Sequence, residues 1–183
     1  MSKYNITMLI LMDSNGGIQK RDGSPLINLS GDMSGFGKVT IGNKNNAVVM
    51  SAQSYKSIPC QNRPLKDITN IVMANKSDKI EPQGNVTTTD SMVSVMNMIA
   101  EKSFDNVYVI GECHIYDLFY RHCSNIIVMR IDTVFSSVSF MKTDIRRYNK
   151  YAEIGVIIRD KHSKYTYRYM NYNMKRIKEY IKK

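Results

Sequence analysis

The sequence predicts an α/β fold built on an open, mostly parallel sheet, and three observations carry that expectation. Short apolar runs rich in β-branched residues recur along the chain: ITMLILM at 6–12, AVVM at 47–50, NIVMA at 70–74, VYVIG at 107–111 and NIIVMRI at 125–131. Each is bounded by polar or turn residues and lacks polar alternation, the pattern of strands buried on both faces. Segments with helical character lie between them, and strand alternating with helix is the pattern of an open α/β sheet. The end of the chain differs: YAEIGVIIRD, a polar KHSK, then YTYRYMNYNM. That reads as an antiparallel hairpin added at the sheet edge.

Taken in order, the helical candidates begin near Asp32 (DMSGFGKVTIG), near Ser51 (SAQSYKSI), at 89–102 (TDSMVSVMNMIAEK) and after Gly111 (ECHIYDLFYRHC). In the last, Ile115, Leu118 and Phe119 share one helical face. Tyrosines alternate with basic residues in KYTYRYMNYNMKR. A period of two suits a β-strand with one buried aromatic face, although stacked bases would use the same residues. No repeat, low-complexity tract or flexible linker divides the chain, so 1–174 is expected to form one domain followed by a basic tail, 175–183.

The chain has 183 residues, enough for one domain with a sizeable core. A formal net charge of +10 is unusual and admits an acidic partner, either nucleic acid or an acidic surface. Much of it crowds the end of the chain in Lys175, Arg176, Lys178, Lys182 and Lys183; a solvated charged surface is the simpler account. Cys60, Cys113 and Cys123 have no paired spacing, and neither they nor His114, His122 and His162 form a metal-binding pattern. Free thiols fit a reducing compartment, and neither a membrane span nor a signal peptide is read, so the expected location is the cytoplasm. The absence of Trp and the abundance of Ile, Asn, Lys, Tyr and Met suggest AT-rich coding and point toward a viral or parasite source.

General motifs carry less. NGG at 15–17 follows the first strand, but no G-x-G-x-x-G opens a helix, so a Rossmann fingerprint fails. Gly111 ends a buried strand just before a helix, where open α/β sheets bind ligands. The next residue is Glu112, whose charge opposes a phosphate there. Asp32 suits either a helix cap or a buried functional carboxylate.

In order along the chain stand ILMDSNGGIQ, PLINLSGDMSGF, VVMSAQSYKSIPCQNRPLK, NIVMANK, EPQG, VYVIGECHIYDLF and VMRIDTVFSSVSF, followed by the closing hairpin. This succession resembles the dihydrofolate reductase family, most closely its vertebrate-type branch, over nearly the whole chain. The resemblance implies a central, mostly parallel eight-stranded sheet with flanking helices and a C-terminal antiparallel hairpin. It implies NADPH as cofactor and a dihydropterin as substrate. Asp32 matches the acid that hydrogen-bonds the pterin, and Phe36 the aromatic packed on it. Leu11, Met33, Ile58 and Ile110 match apolar substrate-wall positions, and Gly17, Ser54, Gly111 and Tyr116 match parts of the cofactor site.

Departures from the family pattern fall on ligand positions. Leu11 replaces a small alanine, Leu26 a tryptophan, Gln19 a loop glycine, Ile68 the arginine that pairs with the folate carboxylate, and Met129 a threonine. On the cofactor side, Ala52 and Gln53 stand at a basic helix start, Ala74 and Asn75 at a polar and basic pair, and Glu112 at the second residue of a Gly-Gly pair. Strand and turn residues such as SIP, NRPLK and VIG remain. The reading is a reductase scaffold that has lost NADPH and folate binding, needs no cofactor and serves as a non-catalytic binding protein, with a protein partner and, if viral, a host-directed role. The alternative is an active NADPH-dependent dihydrofolate reductase that makes tetrahydrofolate; a third reading is binding of nucleic acid or an acidic surface through the basic end.

Overall fold

A computed structural model describes residues 4–27, 45–136, 138–159 and 165–181. Its centre is β1 (Ile6–Met12), which pairs in parallel with β6 (Asn106–Val109) on one side and β7 (Asn125–Ile131) on the other. β3 (Asn46–Ser51) joins β6, β4 (Thr69–Met73) joins β3, and β5 (Val86–Thr89) closes that edge, all in parallel. Beyond β7 the direction reverses, because β10 (Thr166–Asn173) pairs antiparallel with β7 and with the edge strand β9 (Glu153–Arg159). The order is β5-β4-β3-β6-β1-β7-β10-β9, an eight-stranded sheet. A separate two-stranded ribbon pairs β2 (Gln19–Lys20) with β8 (Val138–Ser139).

The strands form where the apolar runs lie because both sheet faces are covered. One face packs Ile6, Met8, Ile10, Ile126 and Val128 under helices; the other packs Leu9, Val48, Met50, Val72 and Ile131. α1 (Ala52–Ser57) covers the second face with Ala52 and Tyr55. α2 (Met92–Lys102) covers the first through Val95 and Ile99, four residues apart on one helical face. α3 (Cys113–Phe119) adds Ile115, Tyr116 and Phe119. The starts of α1 and α2 are locally dictated: the Ser51 hydroxyl accepts from the Ser54 amide, and the Ser91 hydroxyl from the Ser94 amide.

The helix expected near Asp32 lies outside the described residues. β5 carried no apolar run, since VTTT is a half-buried edge strand whose threonines suit a sheet margin. The end of the chain folds further than a charged tail. α4 (Met174–Ile181) continues from β10, with Met174 and Ile177 buried at helical spacing while Lys175 and Arg176 stay exposed. The hairpin has one irregularity, as two β9 residues, Gly155 and Val156, lie opposite the single Tyr169. Among the described residues, no helix is long and apolar enough to cross a membrane.

Candidate functional site

β3 and β6 are parallel neighbours, so the turns that leave their C-terminal ends open side by side. Ser51 ends β3 and caps α1; Gly111 and Glu112 lie between β6 and α3. These paired turns are where an open α/β sheet places a ligand.

The groups at this junction are engaged with one another. Glu112 is only 5% exposed. Its Oε1 accepts a hydrogen bond from the Ser51 hydroxyl at 2.5 Å, while the same hydroxyl accepts from the Ser54 amide at 3.0 Å. One serine therefore caps α1 and ties it to the head of α3. Glu112 Oε2 is buried without a hydrogen-bond partner, with His114 Nδ1 3.8 Å away. The flanking amides are also taken. Gly111 N–H donates to the Tyr116 hydroxyl at 3.0 Å, and that hydroxyl donates to the Leu9 carbonyl at 2.8 Å. Cys113 N–H donates to Gln19 Oε1 at 3.0 Å, so Gln19 ties the loop after β1 to the start of α3.

Burial here also shapes acidity. Tyr116 is pushed well above the ordinary phenol range, chiefly by burial. The Cys113 thiol is pushed up to about 11 by burial and by the negative Asp117 and Glu112. Gly111 takes φ +144°, which favours glycine, and a Cβ there would crowd the Ser54 hydroxyl oxygen at 3.2 Å. The peptide bond that is cis among the described residues is Arg63–Pro64.

The loop after β1 is held from below by Asp13, which sequence reasoning passed over. Asp13 is fully buried, and its carboxylate accepts from Gly17 N–H at 2.7 Å, Asn15 N–H at 2.9 Å and Phe135 N–H at 3.1 Å. Gly17 fits where a Cβ would come within 2.4 Å of Val138 Cγ2. The signal was available: an aspartate two and four residues before backbone amides in a glycine turn is a local side-chain-to-backbone knot.

On the substrate side, Leu11 and Met129 are register partners on β1 and β7. Met129 belongs to the second apolar cluster and Leu11 packs against it, so the two side chains sit next to each other on one sheet face. Leu26, Ile58 and Ile68 are buried in that cluster, and Ile110 packs against it half-buried. Ile68, which the resemblance sets at the carboxylate-pairing arginine, is 5% exposed and is a piece of apolar core. Ala52 is buried in the same cluster. Exposed Gln53 donates from Nε2 to the Gly23 carbonyl at 3.0 Å. Ala74 donates its amide to the Thr89 carbonyl, and Asn75 caps a short 3-10 turn with Asp78. Asp32, Met33 and Phe36 lie outside the described residues. Among those described, no group of His, Cys, Asp and Glu could hold a metal ion.

A parallel sheet with two helix-opening turns at neighbouring strand ends, a glycine loop packed beside them and an antiparallel hairpin at one edge defines a reductase-type α/β scaffold. Comparison with known proteins makes the class specific. The family model for dihydrofolate reductase matches residues 5–174. The chain belongs to the dihydrofolate reductase family. It is 29% identical to a viral dihydrofolate reductase of Saimiriine herpesvirus 2 (strain 488), over 78% of this chain and 71% of that protein. Among solved structures, Schistosoma mansoni dihydrofolate reductase superposes with a TM-score of 0.75 at 21% identity, covering 93% of this chain and 98% of the other. Dihydrofolate reductase from Enterococcus faecalis, complexed with NADP(H) and RAB-propyl, gives a TM-score of 0.70 at 18% identity, covering 92% and 95%.

Proposed function

We propose that this chain is a dihydrofolate reductase-family protein that has given up NADPH and folate binding and works as a non-catalytic binding protein. The observation that carries the reading is the Glu112 carboxylate, buried at the β6–α3 turn. The family uses NADPH, a polyanion, and a pyrophosphate needs donors and positive charge at such a turn. This turn offers a negative charge, one amide committed to Tyr116 and another committed to Gln19. Two unit charges about 4 Å apart at an effective dielectric of about 20 repel by about 4 kcal/mol. Even half of that weakens binding by roughly 30-fold. The residues present therefore do not fit the cofactor.

The substrate side supports the same conclusion. An apolar Ile68 cannot form the charge-assisted pair that a folate carboxylate needs, and Leu11 beside Met129 narrows the wall where a pterin would lie. The framework that remains then serves in recognition, with a protein partner in the cytoplasm and, for a viral source, a host-directed role.

The second reading, an active reductase, is favoured by the family match and by Gly17 and Tyr116 standing in packed, well-bonded positions. Titration of the purified protein with NADPH and with an antifolate, followed by thermal denaturation, separates the two, because a ligand that binds the native state raises Tm by mass action. No shift with either ligand is expected. A clear NADPH shift together with dihydrofolate turnover, abolished in Asp32→Asn, would establish the active reductase instead.

A further inference from the structure

On the sheet face opposite Leu11 and Met129, the register places two arginines side by side. Arg130 of β7 and Arg168 of β10 are direct antiparallel partners, so their side chains project from the same face. Like charges in that position repel, and guanidinium groups keep their charge throughout the range in which proteins fold. The buried Asp13 carboxylate lies beside Ser14, but it is taken up by backbone amides. Each arginine is half-buried, and the Nε atom of each is buried without a hydrogen-bond partner. Arg130 makes one bond, from a terminal nitrogen to the Ser14 carbonyl at 3.2 Å. Among the described residues, neither arginine forms an ion pair. The nearby carboxylate of Asp144 is occupied by a third arginine, Arg146, at 2.8 and 2.9 Å. Arg146 itself donates to the Asn15 carbonyl, so Arg130 and Arg146 converge on the Ser14–Asn15 turn.

A sheet that sets two permanent cations against each other and encloses part of both has a strong electrostatic demand for an anion. From this geometry we infer that Arg130 and Arg168 form a binding site for a phosphate group, separate from the Glu112 junction. A phosphate suits the charge count, since it carries about −1.5 to −2 near neutral pH where a carboxylate carries one charge. It also suits the donors, because guanidinium forks bind phosphate oxygens in pairs. Inorganic phosphate and the phosphate ester of a small molecule share this chemistry.

The test measures Tm of the full chain at fixed ionic strength with inorganic phosphate, with phenyl phosphate or with chloride. Phosphate is expected to raise Tm by several degrees, on the order of 5 °C near saturation, while chloride does not. A larger effect of phenyl phosphate would identify an ester as the better occupant, and a larger effect of inorganic phosphate the free ion. Arg168→Gln is expected to match or exceed the wild-type Tm in chloride, because the repulsion is gone, and to lose the phosphate response; Arg168→Lys should keep part of it. Calorimetric titration of phosphate into the wild type gives the same answer without a variant. The proposal fails if phosphate and chloride act alike on the wild type. It also fails if Arg168→Gln keeps the full phosphate response and Lys175→Gln/Arg176→Gln removes it, which would place the anion on α4.

Discussion

Replacing Glu112 with glutamine removes the charge at the head of α3 and leaves its volume in place. The wild-type carboxylate is buried, held by Ser51 through one oxygen and without a hydrogen bond at the other, which has His114 Nδ1 3.8 Å away. A phosphate brought to about 4 Å meets a repulsion of about 4 kcal/mol at an effective dielectric near 20, and water at the cleft mouth reduces that to about 2. Glu112→Gln should therefore tighten NADPH binding by about 30-fold to 1000-fold. Glu112→Gly should gain at least as much, since it also removes bulk beside Gly111. Neither variant should reach strong affinity, because Ala52, Ala74 and Asn75 still supply no cation. Calorimetric titration of NADPH into the wild type and each variant measures the gain. The reasoning is refuted if the wild type binds NADPH as tightly as Glu112→Gln, for then the buried charge does not govern the site.

Other outcomes follow from the same geometry. Tyr116→Phe strands the Leu9 carbonyl and the Gly111 amide and should cost about 2–4 kcal/mol in urea denaturation. Asp13→Asn replaces an acceptor of three backbone amides with a group that brings its own donors, and should destabilise by at least 2 kcal/mol on the same measurement. Thiol alkylation of the native protein should mark exposed Cys60 first. Cys113 and Cys123, pushed up to about 11 and about 12 chiefly by burial, stay as unreactive thiols below those values, so their labelling should rise only as pH approaches 11. Mass spectrometry of the labelled peptides reads the order.

The parallel core was legible because ITMLILM, AVVM and NIIVMRI have no other way to hide two apolar faces. The closing hairpin was legible from its alternation and polar turn. β5 was not, since its threonines are only half-buried and make no apolar run. Nor was α4, whose two buried residues sit among lysines and arginines that dominate its composition. At the candidate site, the sequence singled out Gly111, Glu112 and Tyr116, but it could not say that Glu112 turns inward to Ser51, sixty-one residues away. That contact depends on β3 and β6 lying next to each other, and such non-local pairing is invisible to a local pattern. Asp13 was missed for a different reason: its partners are backbone amides, which leave no mark in side-chain chemistry beyond the glycine turn.

The bond from Ser51 to Glu112 also bears on how such a molecule can change over generations. The carboxylate that opposes a phosphate is the same group that fastens the start of α1 to the start of α3. A substitution to glycine that reopens the turn removes a hydrogen bond to a charged group, worth about 1.5–3 kcal/mol, from a native state whose total margin is typically about 5–15. Opening this turn to a phosphate therefore carries a folding penalty before the ligand can contribute anything. On the proposed reading the junction would behave as a ratchet, in which the residue that opposes a phosphate is also part of what keeps the chain folded.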